Sequence, residues 1–237
     1  MKFPDPLIHG TLIKRYKRFM ADVTLDDGSV VTAHCANSGS MMSVNTPGSD
    51  VWLSPARNPD RKLRYTWELI RIGDGLVGIN TALPNGLVEE AIRAETIVEL
   101  SGYETIRREV KYGKNSRIDL LLESSDRPAC YVEVKNVTLK RDGPGPGLVE
   151  FPDGVTARGT KHLIELSEMV RQGMRAVMVY LVQREDALSV AIATDIDPVY
   201  GDTLKKSLAA GVEVLCYACS VTETGIGAKD PVAMERP

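Results

Sequence analysis

The chain has 237 residues, of which 43% are hydrophobic and 26% are charged. This balance is typical of a globular protein and excludes a disordered chain, a collagen and a coiled coil. The formal net charge of -3 gives no overall attraction to nucleic acid or to an anionic membrane, so any basic binding surface must be local.

The N-terminal segment contains two prolines and lacks the apolar core of a secretory signal. The longest wholly apolar run, residues 176–182, is far shorter than the ~18 residues that span a membrane. Among the four cysteines only Cys216 and Cys219 form a C-x-x-C pair, and no second pair completes a zinc site. We therefore expect a cytoplasmic protein that does not bind membranes, with reduced and mostly buried thiols.

The first 80 residues contain short runs typical of β-strands, with no helical periodicity between them. The sequences Asp26-Asp27-Gly28 and Gly73-Asp74-Gly75 separate two pairs of runs and predict hairpin turns. The predicted strands are residues 7–13, 19–25, 30–35, 51–55, 65–72 and 77–80. Five or six short strands in this length predict a small β-barrel of the OB type. We place the domain boundary near residue 82, which gives domains 1–82 and 83–237.

The pattern becomes helical after Pro84-Asn85-Gly86, and one helix is predicted from Leu87 to about Leu100. Residues 141–147, rich in glycine and proline, cannot form regular structure. The other predicted elements are strands at 106–112, 117–123 and 129–135, a helix at 160–172, strands at 176–182 and 188–194, a helix at 202–210 and a strand at 212–217. This order predicts an α/β core with a mixed sheet. The predicted fold class is thus α+β with two domains.

An acid, Asp119, stands inside an otherwise apolar predicted strand, where its burial is costly unless a cation or hydrogen-bond donors meet the carboxylate. In the next predicted strand, Glu133 and Lys135 alternate with valines and therefore share one face. Turn-forming residues 124–128 can fold the two strands into a hairpin that brings Asp119 beside Glu133. Two carboxylates beside a lysine suit a divalent cation such as Mg²⁺, which activates water and polarises a phosphoryl oxygen. Asp119, Glu133 and Lys135 are the predicted catalytic residues.

The tripeptide acid-x-lysine is weak evidence by itself, because Glu109-Val110-Lys111 and Asp60-Arg61-Lys62 also contain it. Only Glu133-x-Lys135 follows a partner strand with an embedded acid. The competing explanation is a buried structural ion pair between Glu133 and Lys135.

The order of helix, hairpin with Asp119, Glu133-x-Lys135, helix and strand resembles the PD-(D/E)xK, or restriction-endonuclease-like, nuclease core. Ile118 stands in place of the proline of that motif. The segments RYKRF (15–19), HCANSGSM (34–41), SRIDLLL (116–122), YVEVKNVTL (131–139) and FPDGVTARGTKHL (151–163) resemble the sugar fermentation stimulation protein A family. The resemblance implies an N-terminal OB-like domain, a C-terminal nuclease-like domain, and a DNA-binding protein linked to regulation of maltose metabolism.

Nuclease cores of this type often add an acid from the first helix to the metal site. Glu95 and Glu99 fall within the apolar stripe of the predicted helix. We choose Glu95 as a metal ligand beside Asp119 and Glu133, with Glu99 and Glu90 as alternatives. A salt bridge at the helix end is the competing explanation.

Basic residues in two local runs and at the start of the second helix are candidate phosphate contacts. These candidates are Arg15, Lys17, Arg18, Lys111, Lys114, Arg117, Arg158 and Lys161. His162 lies in the same cluster, but an imidazole on a helix is more often structural. Trp52, Trp67 and Tyr16 are candidates for base stacking, or else for the barrel core.

These residues favour a DNA-binding protein with little sequence preference and a nuclease site dependent on Mg²⁺ or Mn²⁺, with RNA as a further substrate. One alternative is a DNA-binding regulator that keeps the nuclease fold without catalysis. Another is sugar or nucleotide binding by the barrel. The sequence leaves the physiological substrate and the oligomeric state open, a homodimer included.

Overall fold

The computed structural model describes residues 1–58, 60–113, 116–143 and 145–235. Its N-terminal part consists of strands β1 (Ile8–Tyr16), β2 (Met20–Leu25), β3 (Val30–Cys35), β4 (Asp50–Pro55), β5 (Tyr65–Ile72) and β6 (Gly75–Gly78). They pair in the order β3-β2-β1-β4-β5-β6, and β3 also pairs with β5, which closes a five-stranded barrel. The predicted OB-like barrel is confirmed.

The barrel interior is filled by the inward-facing apolar residues of each strand, because side chains alternate between the two faces of a strand. Leu12, Val23, Leu53 and Trp67 are all fully buried there. The Trp67 indole Nε1 donates a hydrogen bond to the Leu69 carbonyl, 2.8 Å away. Trp52 is also buried and packs toward the second domain. Both tryptophans therefore serve packing, and neither is exposed for base stacking.

The C-terminal part is built on a six-stranded mixed sheet of order β14-β13-β11-β9-β8-β7. Strands β9, β11 and β13 are parallel, and the remaining neighbours are antiparallel. Strands β10, β12 and β15 form a small parallel sheet beside it. The elements are α1 (Pro84–Arg93), a 3-10 turn (Val98–Leu100), β7 (Thr105–Tyr112), β8 (Ser116–Ser124), β9 (Arg127–Val137), β10 (Leu148–Phe151), α2 (Ala157–Arg171), β11 (Arg175–Val182), β12 (Ser189–Ile192), α3 (Pro198–Ala209), β13 (Glu213–Thr222), β14 (Gly225–Pro231) and β15 (Ala233–Met234).

Helices cover both faces of the large sheet. Leu87 and Val88 of α1 pack with Val132 of β9 in one apolar cluster, whereas Leu163 of α2 and Leu204 of α3 pack in another. Burial of apolar surface on both faces provides the main stabilisation of such a layered domain. The predicted mixed-sheet core is confirmed.

The prediction of one helix from Leu87 to about Leu100 is wrong at its C-terminal end. The helix ends at Arg93, and Glu95 takes a left-handed backbone with φ of 57°. The amides of Thr96 and Ile97 then hydrogen-bond to the Ala91 carbonyl. This turn places Ile97 in the core with no exposed surface, a position that a continued helix would not provide.

Other boundaries also differ from the prediction. Helix α3 starts at Pro198, four residues early, because Asp197 caps it by accepting a hydrogen bond from the Tyr200 amide. Strand β12 is shorter than the predicted strand 188–194 and joins the small sheet instead of the large one. Strands β10, β14 and β15 were not predicted.

The four cysteines are buried and free, as expected. In the described part of the chain, no helix is long and apolar enough to cross a membrane.

The barrel is joined to the large sheet at the end of β11. The Gly78 amide of β6 donates to the Gln183 carbonyl at 2.9 Å, and Val77 forms a β-bridge with Arg184. A Cβ atom on Gly78 would lie 2.7 Å from the Gln183 side chain and 2.9 Å from Ile226, so a larger residue would have to displace these buried side chains. The junction brings the loop after β3 close to the end of the sheet at which strands β8 and β9 diverge.

Candidate active site

The predicted acids lie where strands β8 and β9 diverge. The two strands pair as far as Leu120 and Val132, and Asp119 and Glu133 are the next residues in this antiparallel register. Beyond them β9 continues beside β11. The Val134 amide, freed from the β8 ladder, donates instead to Asp119 Oδ2 at 2.8 Å. The divergence thus opens a cleft and directs both carboxylates to it.

Glu133 is 1% exposed, and its two oxygens have different surroundings. Oε1 accepts a hydrogen bond from Lys135 Nζ at 2.6 Å and a very short one from His162 Nδ1 on α2. Oε2 is buried and has no hydrogen-bond partner among the described residues. An unpaired carboxylate oxygen in a buried site costs free energy, so it is a position where a bound cation or donor would be stabilising.

The two acids have opposite pKa shifts. Burial and the neighbouring Glu133 carboxylate raise the pKa of Asp119 to about 6, although hydrogen bonds from Val134 and Asn85 act in the other direction. Burial alone would raise the pKa of Glu133, but the hydrogen bond from His162 and the charge of Lys135 outweigh it and lower that pKa. Neighbouring titratable groups with divergent pKa values are typical of catalytic sites.

His162 was treated as structural in the sequence, yet it contacts both site residues of β9. It is 4% exposed, and Lys135 Nζ lies 3.4 Å from its Nδ1. Arg158 Nε donates to His162 Nε2 at 3.3 Å, so Nε2 acts as the acceptor. In the neutral ring the proton is then on Nδ1, which donates to Glu133. The spacing of Arg158 and His162, four residues apart on one face of a helix, is the feature of the sequence that could have indicated this contact.

Strand β7 and helix α1 supply two further polar groups that sequence reasoning missed. Glu109 lies across from Asp119, between the register pairs Arg108–Leu120 and Val110–Ile118. Asn85, in the first turn of α1, donates to Asp119 Oδ1 at 2.9 Å and lies 3.5 Å from Glu109 Oε1. Helix α1 therefore contributes an amide to this site, and an outer strand contributes the neighbouring acid.

The structure does not bring the glutamates predicted from the first helix to this site. Glu95 is exposed beyond the end of α1. Glu90 pairs with the N-terminal ammonium at 2.6 Å, and Glu99 accepts from the Tyr217 hydroxyl at 2.7 Å. None of these three described residues lines the cavity that contains Asp119, Glu133 and Lys135. The choice of Glu95 depended on a helix that continues past Arg93, and the turn at Glu95 removes that geometry.

The acids, Lys135 and His162 line a cavity of about 420 Å³, called here the catalytic cavity. Helix α2 adds Arg158 to its wall, and Asn85 of α1 lies on another side. The loop after β3 closes a further side through Asn37, Ser38 and Gly39. The barrel is therefore a direct part of this site.

The predicted phosphate contacts are spread over several surfaces. Arg158 lines the catalytic cavity, and Arg15 and Arg18 line an adjoining one. Lys17 lies in the same exposed turn as Arg18. Other members of the set lie elsewhere or outside the described residues: Lys111 and Arg117 line a separate cavity, Lys161 lies 3.8 Å from Glu165 on α2, and Lys114 is not among the described residues.

The donor set can be tested for a divalent cation. Among the described residues, no group of three or more His, Cys, Asp or Glu side chains is arranged to hold a metal. Mg²⁺, however, commonly takes only one or two carboxylates and completes its shell with water and substrate phosphate. Asp119 and the unpartnered Oε2 of Glu133 fit that smaller donor set.

Known proteins resemble this chain over almost its whole length. The family models "SfsA N-terminal OB domain" and "Sugar fermentation stimulation protein RE domain" match residues 13–79 and 82–225. Proteins named sugar fermentation stimulation protein homolog are similar: that of Rhodospirillum rubrum is 62% identical over 93% of each chain, and that of Maricaulis maris is 59% identical over 99% of each. The solved structure of Pyrococcus furiosus SfsA in complex with Ca²⁺ matches with a TM-score of 0.89 and 27% identity, covering 99% of this chain and 98% of that one.

Proposed function

This chain belongs to the sugar fermentation stimulation protein family, and we propose that it binds nucleic acid and hydrolyses phosphodiester bonds with a divalent cation. The observation that carries the proposal is the buried, unpartnered Oε2 of Glu133, which lies beside Asp119 and Lys135 in an open cavity. The Ca²⁺ bound by the Pyrococcus furiosus relative supports a hard, oxygen-preferring cation here, with Mg²⁺ or Mn²⁺ as the catalytic ion.

Asp119 and Glu133 are the residues that would hold the cation. When bound, such an ion polarises a phosphoryl oxygen and lowers the pKa of a bound water. Ionised Asp119 is needed for this role. Because the pKa of Asp119 is about 6, a cation must displace a proton from part of the molecules near neutral pH.

Lys135 is the group that would stabilise charge developing on the phosphate. Its side chain is only 14% exposed, and Glu133 holds Nζ at 2.6 Å, so the ammonium reaches the cavity in a defined position. Preorganised positive charge in a site with little water stabilises a transition state more than it stabilises the bound substrate. Lys135 is therefore the catalytic residue that contributes mainly to the rate.

His162 is a positioning residue in this proposal. Its Nδ1 hydrogen bond fixes Oε1 of Glu133, which leaves Oε2 as the oxygen available to a ligand. Outer hydrogen bonds of this kind orient metal ligands and contribute to metal affinity. Arg158 is bonded to the other ring nitrogen and faces the cavity, where its guanidinium suits a substrate phosphate.

Binding is expected to show little sequence preference, because the basic residues near the cavity suit phosphates and phosphate contacts carry no base information. The second candidate is a DNA-binding regulator without catalysis. One observation favours it: both oxygens of Asp119 already accept protein hydrogen bonds, from Val134 and Asn85, so the site is partly satisfied without a metal.

A cleavage assay separates these candidates. Labelled single- and double-stranded DNA and RNA are incubated with the full chain and Mg²⁺, Mn²⁺ or EDTA. Cleavage that needs the metal and disappears in Asp119→Ala supports the nuclease. Glu123→Ala is the matched control, because Glu123 lies on the same strand and pairs with Arg107 at 2.8 Å outside the cavity. Nucleic-acid binding with no cleavage of any substrate would leave only the regulator.

A further inference from the structure

A second cavity of about 480 Å³ adjoins the catalytic cavity. It lies between the β1–β2 turn, the loop after β3 and the segment that precedes α2. Ser38, Gly39, Asp153 and Thr156 line both cavities. The two cavities are therefore parts of one groove that crosses the boundary between the barrel and the C-terminal sheet.

The barrel side of this groove is held by a dense set of hydrogen bonds. The Arg15 guanidinium donates to the carbonyls of Asn37, Gly39 and Ser40 at 2.9 to 3.2 Å. Asp153, from the other domain, accepts from the Met41 amide at 2.9 Å. The Ser40 hydroxyl donates to the Asp153 carbonyl at 2.6 Å. The loop is thus a fixed wall that the two domains build together.

Gly39 shows how tightly this wall is built. A Cβ atom at this position would lie 2.7 Å from Asp153 Oδ2, closer than packed atoms allow. A larger residue here would displace the Asp153 carboxylate, which the Met41 amide holds in place. The Asp153 carboxylate accepts a hydrogen bond from the Met41 amide and remains a negative charge that lines both cavities.

The positive charges along the groove differ in availability. Arg15 donates to loop carbonyls and is committed to the wall. Arg18 lines the second cavity, its side chain is exposed, and no ion pair joins it to any described residue. Lys135 and Arg158 line the catalytic end. The cations at the two ends and the hydroxyl groups of Ser38 and Thr156 between them can donate to the oxygens of a phosphodiester backbone.

The dimensions favour one strand over a duplex. Each cavity falls within the roughly 300–1,000 Å³ that is usual for small-ligand sites. Such a volume accommodates a group of about nucleotide size, whereas a paired duplex presents its backbone on a broad rigid surface. Residues of both domains line the groove, and a flexible single strand can adapt to such a boundary more easily than a stiff duplex.

We propose that a single-stranded segment of nucleic acid, adjacent to the phosphodiester held in the catalytic cavity, lies in the second cavity with a phosphate at Arg18. This inference rests on the proposed nuclease function and names the form of substrate for that site. The proposal assigns different roles to two neighbouring basic residues. Arg18 contacts the strand, whereas Lys17 does not, because Lys17 lines neither cavity.

Lys17 is a matched control for Arg18. Both residues are exposed in the β1–β2 turn, and both have positive φ, 48° and 64°. Arg18→Gln and Lys17→Gln each remove one positive charge while keeping a long polar side chain at a strained position. Thermal unfolding should therefore give similar midpoints for the two variants. A difference in binding affinity between them would then reflect the position of the removed charge and not a difference in stability.

The test measures binding of the full chain to fluorescent single-stranded oligonucleotides in EDTA, at several salt concentrations. Arg18→Gln should weaken binding by about fivefold, the scale of one exposed ion pair. It should also reduce the log-log salt slope by about 0.7, the value for one phosphate contact on a single strand. Lys17→Gln should have a clearly smaller effect on both quantities, because Lys17 is near the strand but does not line its path. A blunt duplex should be less sensitive than the single strand to Arg18→Gln.

Equal effects of Arg18→Gln and Lys17→Gln on binding would overturn the strand path while leaving the nuclease proposal intact. Equal sensitivity of the duplex to Arg18→Gln would overturn the assignment to a single strand. Cleavage and binding both absent for every oligonucleotide would contradict the proposed function, and this inference would fall with it.

Discussion

The tripeptide Glu-Val-Lys occurs twice in the large sheet, and its two copies flank Asp119. Residues 133–135 lie on the central strand β9, and residues 109–111 lie on the edge strand β7. Glu133 is 1% exposed, and Oε1 binds Lys135 and His162. Glu109 is exposed and has a left-handed φ of 54°. Lys111 pairs with Arg117 in the register and lines a different cavity.

Position in the sheet, and not residue type, gives these groups their chemistry. The central copy is covered by α2, which removes water and supplies His162. Burial strengthens every electrostatic interaction there. The edge copy has solvent on one side, so its charges are screened and its lysine is not held by its glutamate. The following experiments use the edge copy as an internal control.

The largest difference is expected between the two lysines. Lys135→Ala should lower metal-dependent cleavage by about 10²- to 10³-fold, because one preorganised group that stabilises transition-state charge is worth that much. Mn²⁺ affinity should remain, since Lys135 is not a ligand. Lys111→Ala should leave cleavage near the wild-type rate. Single-turnover kinetics measure the effect, and full activity in Lys135→Ala would refute the proposed mechanism.

The two glutamates should differ in metal affinity. Glu133→Gln should weaken Mn²⁺ binding by at least about 100-fold, because it removes the charge of a proposed ligand and the hydrogen-bond acceptor of His162. Glu109→Gln should weaken it by less than tenfold, since Glu109 lines the cavity beside Asn85 but is exposed, whereas Glu133 is buried. Calorimetric titration compares the two. Equal losses of Mn²⁺ affinity in the two variants would show that Glu109 is also a metal ligand.

Asp119, between the two copies, should make stability depend on pH in the metal-free protein. Its pKa is raised in the folded state from 3.8 to about 6, so folding favours its protonated form. Stability from this group is therefore present at low pH and is lost as the pH rises through about 6. The loss should be roughly 2 kcal/mol, because solvent partly screens a shift of about two pKa units.

The loss begins near the unfolded pKa of 3.8 and is complete above about pH 6, so urea unfolding at pH 4.5 and pH 7.5 measures the larger part of it. Asp119→Asn should lack the loss between the two pH values. Asn85→Ala removes a hydrogen bond that lowers the pKa of Asp119, so it should move the transition to higher pH. A transition that persists unchanged in Asp119→Asn would assign it to another group.

The smallest effect is expected at His162, which has no counterpart beside Glu109. His162→Asn can place an amide donor where Nδ1 stands and should keep most of the Mn²⁺ affinity. His162→Gln places its amide nearer to the Nε2 position and should lower the affinity about tenfold, the usual scale for an outer partner of a metal ligand. Similar thermal stability with different metal affinity would identify positioning, whereas equal metal affinity in both variants would contradict it.

Much of the fold could be predicted because its signals are local. The alternation of β1 to β5 identifies strands whose inward residues fill the barrel. The same alternation places Glu133 and Lys135 on one face, and the short turn before β9 places Asp119 beside them. The prediction of Glu95 as a further metal ligand failed because it assumed that the helix continues past Arg93. The chain instead turns at Glu95, and this turn buries Ile97 in the core.

The barrel strands, the order of the C-terminal elements and the juxtaposition of Asp119 with Glu133 and Lys135 could all be predicted from the sequence alone. These features follow from side-chain periodicity and from pairing of strands adjacent in the chain, which need only short-range geometry. By contrast, the positions of Glu109 and His162 beside these residues, and of the loop after β3 in the wall of their cavity, follow from the tertiary fold. Those contacts join residues far apart in the chain, and they depend on how helices and domains pack to bury apolar surface.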